Sequence, residues 1–302
     1  MQKISIIPSH QINRSKWNEC IQQSVNGMIY ATTTYLDFMS DNWTGIVYND
    51  YAAVMPVPWR KKYGIRYAYN VPFIQQLGFF STLQSISPDQ MVSALFTICR
   101  YGDYSFNYFH ATDGALKRTN CVLRIESGME NKFSENTIKN IKRSQEQGLI
   151  YQEGTIEEAV EVYQQLYGQR FNHIKNNSFE QFKKLCKEFK KEGNTVVRKV
   201  IGKQAGLQAI VLLLRDKKRL YNIMPSTTPE GRAGSAMYLL LSALFTEFID
   251  SGLLFDFEGS DLPGVQEFNK KFGPVDQPYY QLHFNKLPWP VNLFTPTSSS
   301  FL

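Results

Sequence analysis

Apolar residues recur along the chain with a spacing of two in some stretches and of three to four in others, and this alternation predicts an order of strands and helices. Residues 3–7 read as a first strand. Residues 13–24 read as a helix with Asn13 as its cap and with Trp17 and Ile21 four apart on one face. A second helical piece is expected at 29–39, and 43–57 alternate as a hairpin turning at Asn49 and Asp50. Residues 70–81, with Pro72, Gln75, Gln76 and Gly78, read as an irregular loop. A helix follows at 88–101 with Met91, Leu95 and Ile98 at apolar spacing, then strands at 105–110 and 121–125.

The apolar pattern breaks at 126–132, which predicts a boundary between a domain of residues 1–126 and one of 127–302. The second part opens with a polar helix at 134–147, anchored only by Ile138 and Ile141, made basic by Lys139, Lys142 and Arg143 and stopped by Gly148. Next come a strand at 149–152, helices at 156–171 and 179–191, and strands at 195–200, 204–214 and 219–224. A strongly apolar helix at 235–250, a strand at 253–258, a helix at 264–272 and a strand at 279–284 complete the list, and the Pro- and Ser-rich 288–302 read as an irregular end. The expected fold is α/β (α+β), two tandem domains with mixed sheets flanked by helices.

A length of 302 residues suits two domains, and 43% hydrophobic with 20% charged residues excludes a mainly disordered chain. The net charge of +6 favours an acidic partner. Part of that charge lies in the basic, aromatic stretch 56–67, which contains Trp59, Arg60, Lys61, Lys62, Tyr63 and Arg66. It reads either as a solvated strand end or as a surface that contacts RNA. Cys20, Cys99, Cys121 and Cys186 are scattered without metal-ligand spacing, so reduced core thiols and no metal are expected. His110, His173 and His283 are isolated in sequence. The N-terminus lacks a signal-peptide core, and the longest apolar run, 237–249, is interrupted by Ser242, Thr246 and Glu247. No membrane span and a cytoplasmic location are therefore expected.

Candidate chemistry gathers between Gly231 and Gly273. The turn Gly231-Arg232-Ala233-Gly234-Ser235-Ala236 feeds the apolar helix, and backbone N–H groups at a helix start suit an anion. Ser226, Thr227 and Thr228 precede it as a polar turn. In the strand at 253–258 a period of two puts Asp256 and Glu258 on one face, where one carboxylate could serve as a base for an amine. Tyr221, on the preceding strand, could protonate a leaving group. Each also has a plain structural role open to it: Asp256 in a hydrogen-bonded pair, Glu258 as a solvated strand end, Tyr221 in packing.

The order of elements over 149–284 resembles a GNAT acyltransferase domain, whose phosphate-binding turn reads R/Q-x-x-G-x-G/A; here Gly231 stands where Arg or Gln is favoured. Asn140-Ile141-Lys142-Arg143-Ser144 through Gly148, the strand end from Phe255 to Ser260, and Gly264 to Gly273 resemble the tandem-GNAT, FemAB-like group of bacterial transferases. Ser144 and Asn269 depart from that pattern. The resemblance implies transfer of an acyl or aminoacyl group to a small-molecule or peptide amine. It implies acyl-CoA as a donor, bound by Gly231, Arg232, Gly234 and Ser235, with Asp256, Glu258 and Tyr221 as catalytic residues. Aminoacyl-tRNA is disfavoured as donor, because the sequence has no long helical hairpin arm. The alternative is a non-catalytic binding or scaffold protein that retains the fold.

Overall fold

The structure is a computed structural model that describes residues 4–83, 88–171, 174, 176–204, 206–259 and 261–295. His173, Ser260 and the end of the tail lie outside the described residues. In chain order the elements begin with β1 (Ile4–Pro8), α1 (Arg14–Gln23), α2 (Thr33–Met39), β2 (Trp43–Tyr48), β3 (Ala53–Lys62), β4 (Ile65–Ala68), β5 (Phe80–Ser81), α3 (Pro88–Ile98), β6 (Tyr101–Phe106) and β7 (Leu116–Arg118). They continue with β8 (Cys121–Arg124), α4 (Glu135–Glu146), β9 (Ile150–Glu153), α5 (Ile156–Tyr167), α6 (Asn176–Lys191), β10 (Thr195–Ile201), β11 (Leu207–Arg215) and β12 (Arg219–Thr227). The last are α7 (Pro229–Ala233), α8 (Ala236–Glu247), β13 (Leu254–Asp256), α9 (Pro263–Lys270), β14 (Val275–Asp276) and β15 (Tyr279–Asn285).

These elements form two compact units, one of Met1–Arg118 with Pro278–Leu302 and one of Thr119–Gln277. The first holds a sheet of order β1-β2-β3-β4-β6-β15-β7, with β5 on β3, and the second a sheet of order β14-β8-β13-β12-β11-β10-β9. The sequence boundary at 126/127 differs from this division at both ends. The strand β8 pairs with β13 in the second sheet, and β15 pairs with β6 and β7 in the first. Both pairings join residues more than a hundred positions apart, so local composition carries no sign of them.

Local signals place most helix starts. Asn13 accepts the Lys16 amide, Thr32 the Tyr35 amide and Ser134 the Thr137 amide, while Thr155 and Glu158 form a reciprocal capping box. Trp17 and Ile21 are buried on one face of α1, and the Trp17 indole N–H donates to the Ala31 carbonyl at 2.8 Å. The β3–β4 hairpin turns on Tyr63 and Gly64, both with positive φ (50° and 82°), the geometry that matches strand twist.

In the second unit α8 supplies the centre of the core. Ala236, Leu240, Leu241, Leu244 and Phe245 pack with Val211, Leu213, Leu220, Phe255 and Phe272. The expected helix at 235–250 is observed as α8; a separate short helix, α7, precedes it, and Ser235, with φ 60°, stands at the bend between them. The expected strand at 253–258 is only three residues long, because the chain turns after Asp256.

Candidate functional site

The strands β12 and β13 run parallel and pair only over Arg219–Leu254, Leu220–Phe255 and Tyr221–Asp256. Beyond that point they part. β12 continues to Thr227, while β13 ends and the Phe257 amide bonds to the Cys121 carbonyl of β8. From Asn222 onward β12 therefore keeps β11 on one side and has no paired strand among the described residues on the other.

The same stretch carries a β-bulge. Leu212 pairs with Met224 and Leu214 with Tyr221, so Asn222 and Ile223 together stand opposite Leu213. An extra residue bends the strand and interrupts its ladder at the point where β13 departs. Asn222 and Ser226, on this stretch, are 5% and 1% exposed, and Asn222 Oδ1 and Ser226 Oγ are buried without a hydrogen-bond partner among the described residues. Buried polar atoms in native proteins are nearly always satisfied, so these two mark a place suited to ligand groups.

The predicted catalytic residues divide on inspection. Asp256 is fully buried; its Oδ2 accepts from Arg219 Nη1 at 2.8 Å, and its Oδ1 accepts from Asn120 Nδ2 at 3.0 Å and from the Glu258 amide at 3.1 Å. A carboxylate so engaged holds the strand end together, and its Arg219 partner is 4% exposed. Glu258 does not share a pleated face with Asp256. Its φ of 53° places it in a turn closed by the Asp256 carboxylate, and it is half-buried, with more solvent access than Asp256. Tyr221 is also fully buried, and its hydroxyl donates to Asp216 Oδ2 at 2.6 Å. Burial raises the Asp216 carboxyl above the usual range, against the lowering effect of Tyr221 and of the Lys218 and Arg219 amides.

The predicted anion turn is bonded within itself. The Gly231 amide donates to Thr228 Oγ1 at 3.0 Å, Arg232 N to the Thr228 carbonyl at 2.9 Å, Gly234 N to the Glu230 carbonyl at 2.9 Å and Ser235 N to the Arg232 carbonyl at 3.2 Å. Gly231 is set by packing, since a side chain there would overlap the Gln208 carbonyl of β11. The helix α4 lies against the turn: Ser235 Oγ donates to Asn140 Oδ1 at 2.8 Å, and Ser144 Oγ donates to the Ser235 carbonyl at 3.2 Å. Arg143 on α4 and Arg232 on α7 are exposed, and neither forms an ion pair among the described residues.

Sequence reading missed Arg219, Asn120, Asn222 and Asp216. A buried Arg two positions before Tyr221 has no local signature, and the bulge at Asn222 is visible only in the register. The cysteines are all free and buried, and burial pushes the Cys20 thiol up to about 11 and those of Cys99 and Cys121 up to about 12. Such thiols are poor nucleophiles. Among the described residues no group of three or more His, Cys, Asp or Glu could hold a metal, and no helix is long and apolar enough to cross a membrane.

Residues 131–269 match the family model described as an acetyltransferase (GNAT) domain. A comparison with curated proteins finds no match. Among solved structures, FemX is similar at a TM-score of 0.64 and 10% identity, over 93% of this chain and 98% of that one. L-PGS from Bacillus licheniformis is similar at 0.55 and 11%, over 93% and 95%. A tandem GNAT protein from the clavulanic acid biosynthesis pathway is similar at 0.51 and 11%, over 93% and 98%. At these identities the shared property is the fold. Residues 131–269 thus match the acetyltransferase (GNAT) domain model, in a chain whose fold is similar to that of a tandem GNAT protein.

Proposed function

We propose that the chain transfers an acyl or aminoacyl group to the amine of a small molecule or peptide, at the edge of β12 that β13 leaves open. The observation that carries this reading is the bulged stretch from Asn222 to Thr227, open on its β13 side, with two buried polar atoms that have no hydrogen-bond partner among the described residues, inside residues that match an acetyltransferase domain model. An extended donor can add to such an edge as a strand would, through its amide groups. The amine nitrogen then attacks the donor carbonyl, its C–N bond forms as the bond to the leaving thiolate or alkoxide breaks, and the amine gives up a proton.

Of the two candidate carboxylates, Glu258 is the one with solvent access, and we assign it the proton. Asp256 is a positioning residue, and Tyr221, committed to Asp216, leaves protonation of the leaving group to solvent. Acyl-CoA is the proposed donor. Because the amides of Gly231, Arg232, Gly234 and Ser235 are satisfied internally, its phosphates would rest on the Arg143 and Arg232 side chains. With its unpaired cysteines, the chain is assigned to the cytoplasm.

Titration of the full chain with acetyl-CoA by calorimetry tests this. Saturable binding, weakened about tenfold or more in Arg143→Glu with Arg232→Glu, supports the CoA donor. Absence of binding at millimolar acetyl-CoA removes it. The internally bonded turn then favours the second reading, a binding or scaffold protein that keeps the fold without this cofactor.

A further inference from the structure

One end of the first unit's sheet brings together two features that the transferase reading leaves unused. In β4, β6 and β15 the residues Ala68, Gly102 and Phe284 stand level, with β4 parallel to β6 and β15 antiparallel to it. Ile65 and the Tyr63–Gly64 turn therefore project past the same sheet end at which β15 finishes at Asn285 and the tail begins. Tyr63 lies five residues beyond Ala68, a reach of about 16 Å at the rise of a strand.

The hairpin supplies positive charge. Lys61, Lys62 and Arg66 are exposed and form no ion pair among the described residues, and Arg60 is paired with Asp41. The stretches 59–69 and 285–295 contain five Lys or Arg residues and no Asp or Glu. The tail supplies apolar surface: Trp289 is 77% exposed, Leu293 67% and Phe294 85%, while Tyr63 at the hairpin tip is 91% exposed. Clustered apolar side chains in water usually mark a contact surface.

We infer that this end of the first unit docks on a lipid surface bearing anionic head groups. Basic residues draw a protein to such a surface, while Trp, Tyr, Phe and Leu enter the interface between head groups and acyl chains. An RNA would use the cations and the rings but would gain little from Leu293, an aliphatic side chain with no face for a base to stack on. Neither stretch carries Asp or Glu, and the Asp41 carboxylate beside the hairpin is paired with Arg60, so the exposed Lys61, Lys62 and Arg66 leave the hairpin positive, which complements the negative charge of the proposed surface. Docking of this kind is peripheral and needs no spanning helix.

Flotation of the full chain with phosphatidylcholine vesicles, with and without phosphatidylglycerol, tests the inference. The expected result is binding that needs the anionic lipid and declines at high salt. Lys61→Gln and Lys62→Gln should each weaken it about fivefold, and Trp289→Ser with Phe294→Ser should weaken it at every salt concentration. Trp fluorescence should shift to the blue on vesicle addition, and Trp289→Phe should still bind but lose that shift. These positions are exposed, so circular dichroism should show each variant folded. The inference is overturned by no flotation with anionic vesicles at low salt or by flotation indifferent to the Lys61 and Lys62 changes. Single-stranded RNA binding through those lysines while vesicles stay free would overturn it as well.

Discussion

Asp256 and Glu258 sit two positions apart and have opposite fates. The first is sealed behind Arg219 and Asn120, and the second sits in the turn that the first one closes. Removing one member of a buried ion pair leaves the other charged and unpaired, so Asp256→Ala should cost about 3–5 kcal/mol in urea unfolding. Replacing the pair together, Arg219→Met with Asp256→Leu, should cost less than the two single changes summed. Glu258→Gln should leave stability within about 1 kcal/mol and reduce kcat about a hundredfold with KM unchanged, in line with loss of a general base. Equal losses of stability from both carboxylates would contradict this division. Tyr221 follows the same logic, since its hydroxyl is already spent on Asp216.

At the scale of elements, α7 and α8 are held by contacts that a motif search assigns to a ligand. Gly231 lets α7 sit directly on the β11 backbone, and Gly231→Ala should destabilise the chain by about 1–3 kcal/mol in thermal unfolding. A drop in acetyl-CoA affinity without loss of stability would instead restore Gly231 to the binding turn. The far end of α8 is tied to the sheet by Glu247, which accepts from Arg198 Nε at 2.9 Å, Arg198 Nη2 at 2.5 Å and Tyr151 Oη at 2.6 Å. The hydrogen bond from Arg198 holds the Glu247 carboxyl below its ordinary 4.5, against the opposing effect of burial. A depressed carboxylate stabilises the fold above its unfolded pKa and loses that contribution as pH falls through the folded value. The side chain is 33% exposed, so solvent screens the pair. Glu247→Gln should therefore cost about 1 kcal/mol at neutral pH, with the gap to the wild type closing below about pH 4.

At the scale of the molecule, the chain enters the second unit after Arg118 and leaves it after Gln277 to finish the first sheet. β15 lies inside that sheet, with β6 on one side and β7 on the other. Residues 119–277 expressed alone should unfold as one cooperative transition. Residues 1–126 alone, which lack β15 and expose the β6 edge, should not. Circular dichroism and urea unfolding of the two fragments check this, and a cooperative 1–126 fragment would overturn the division.

Much of the secondary structure is legible in the chain, because a cap such as Asn13 or Thr155 and the spacing of Trp17 from Ile21 act within one helical turn. The α/β class follows from that order of elements, as does the family resemblance carried by 140–148 and 255–273. The rest depends on which distant segments meet. Whether β15 closes the first sheet or the second and whether Asp256 faces solvent or Arg219 are set by pairings across tens to hundreds of residues. Whether the amides of 231–235 are open or spent is set by the turn of α7, whose bonds span only three or four residues but which the motif alone does not distinguish from an open loop. Periodicity reports which face of an element is apolar. It does not report what that face, or the polar group beside it, is packed against, and that partner separates a buried structural carboxylate from one able to take a proton.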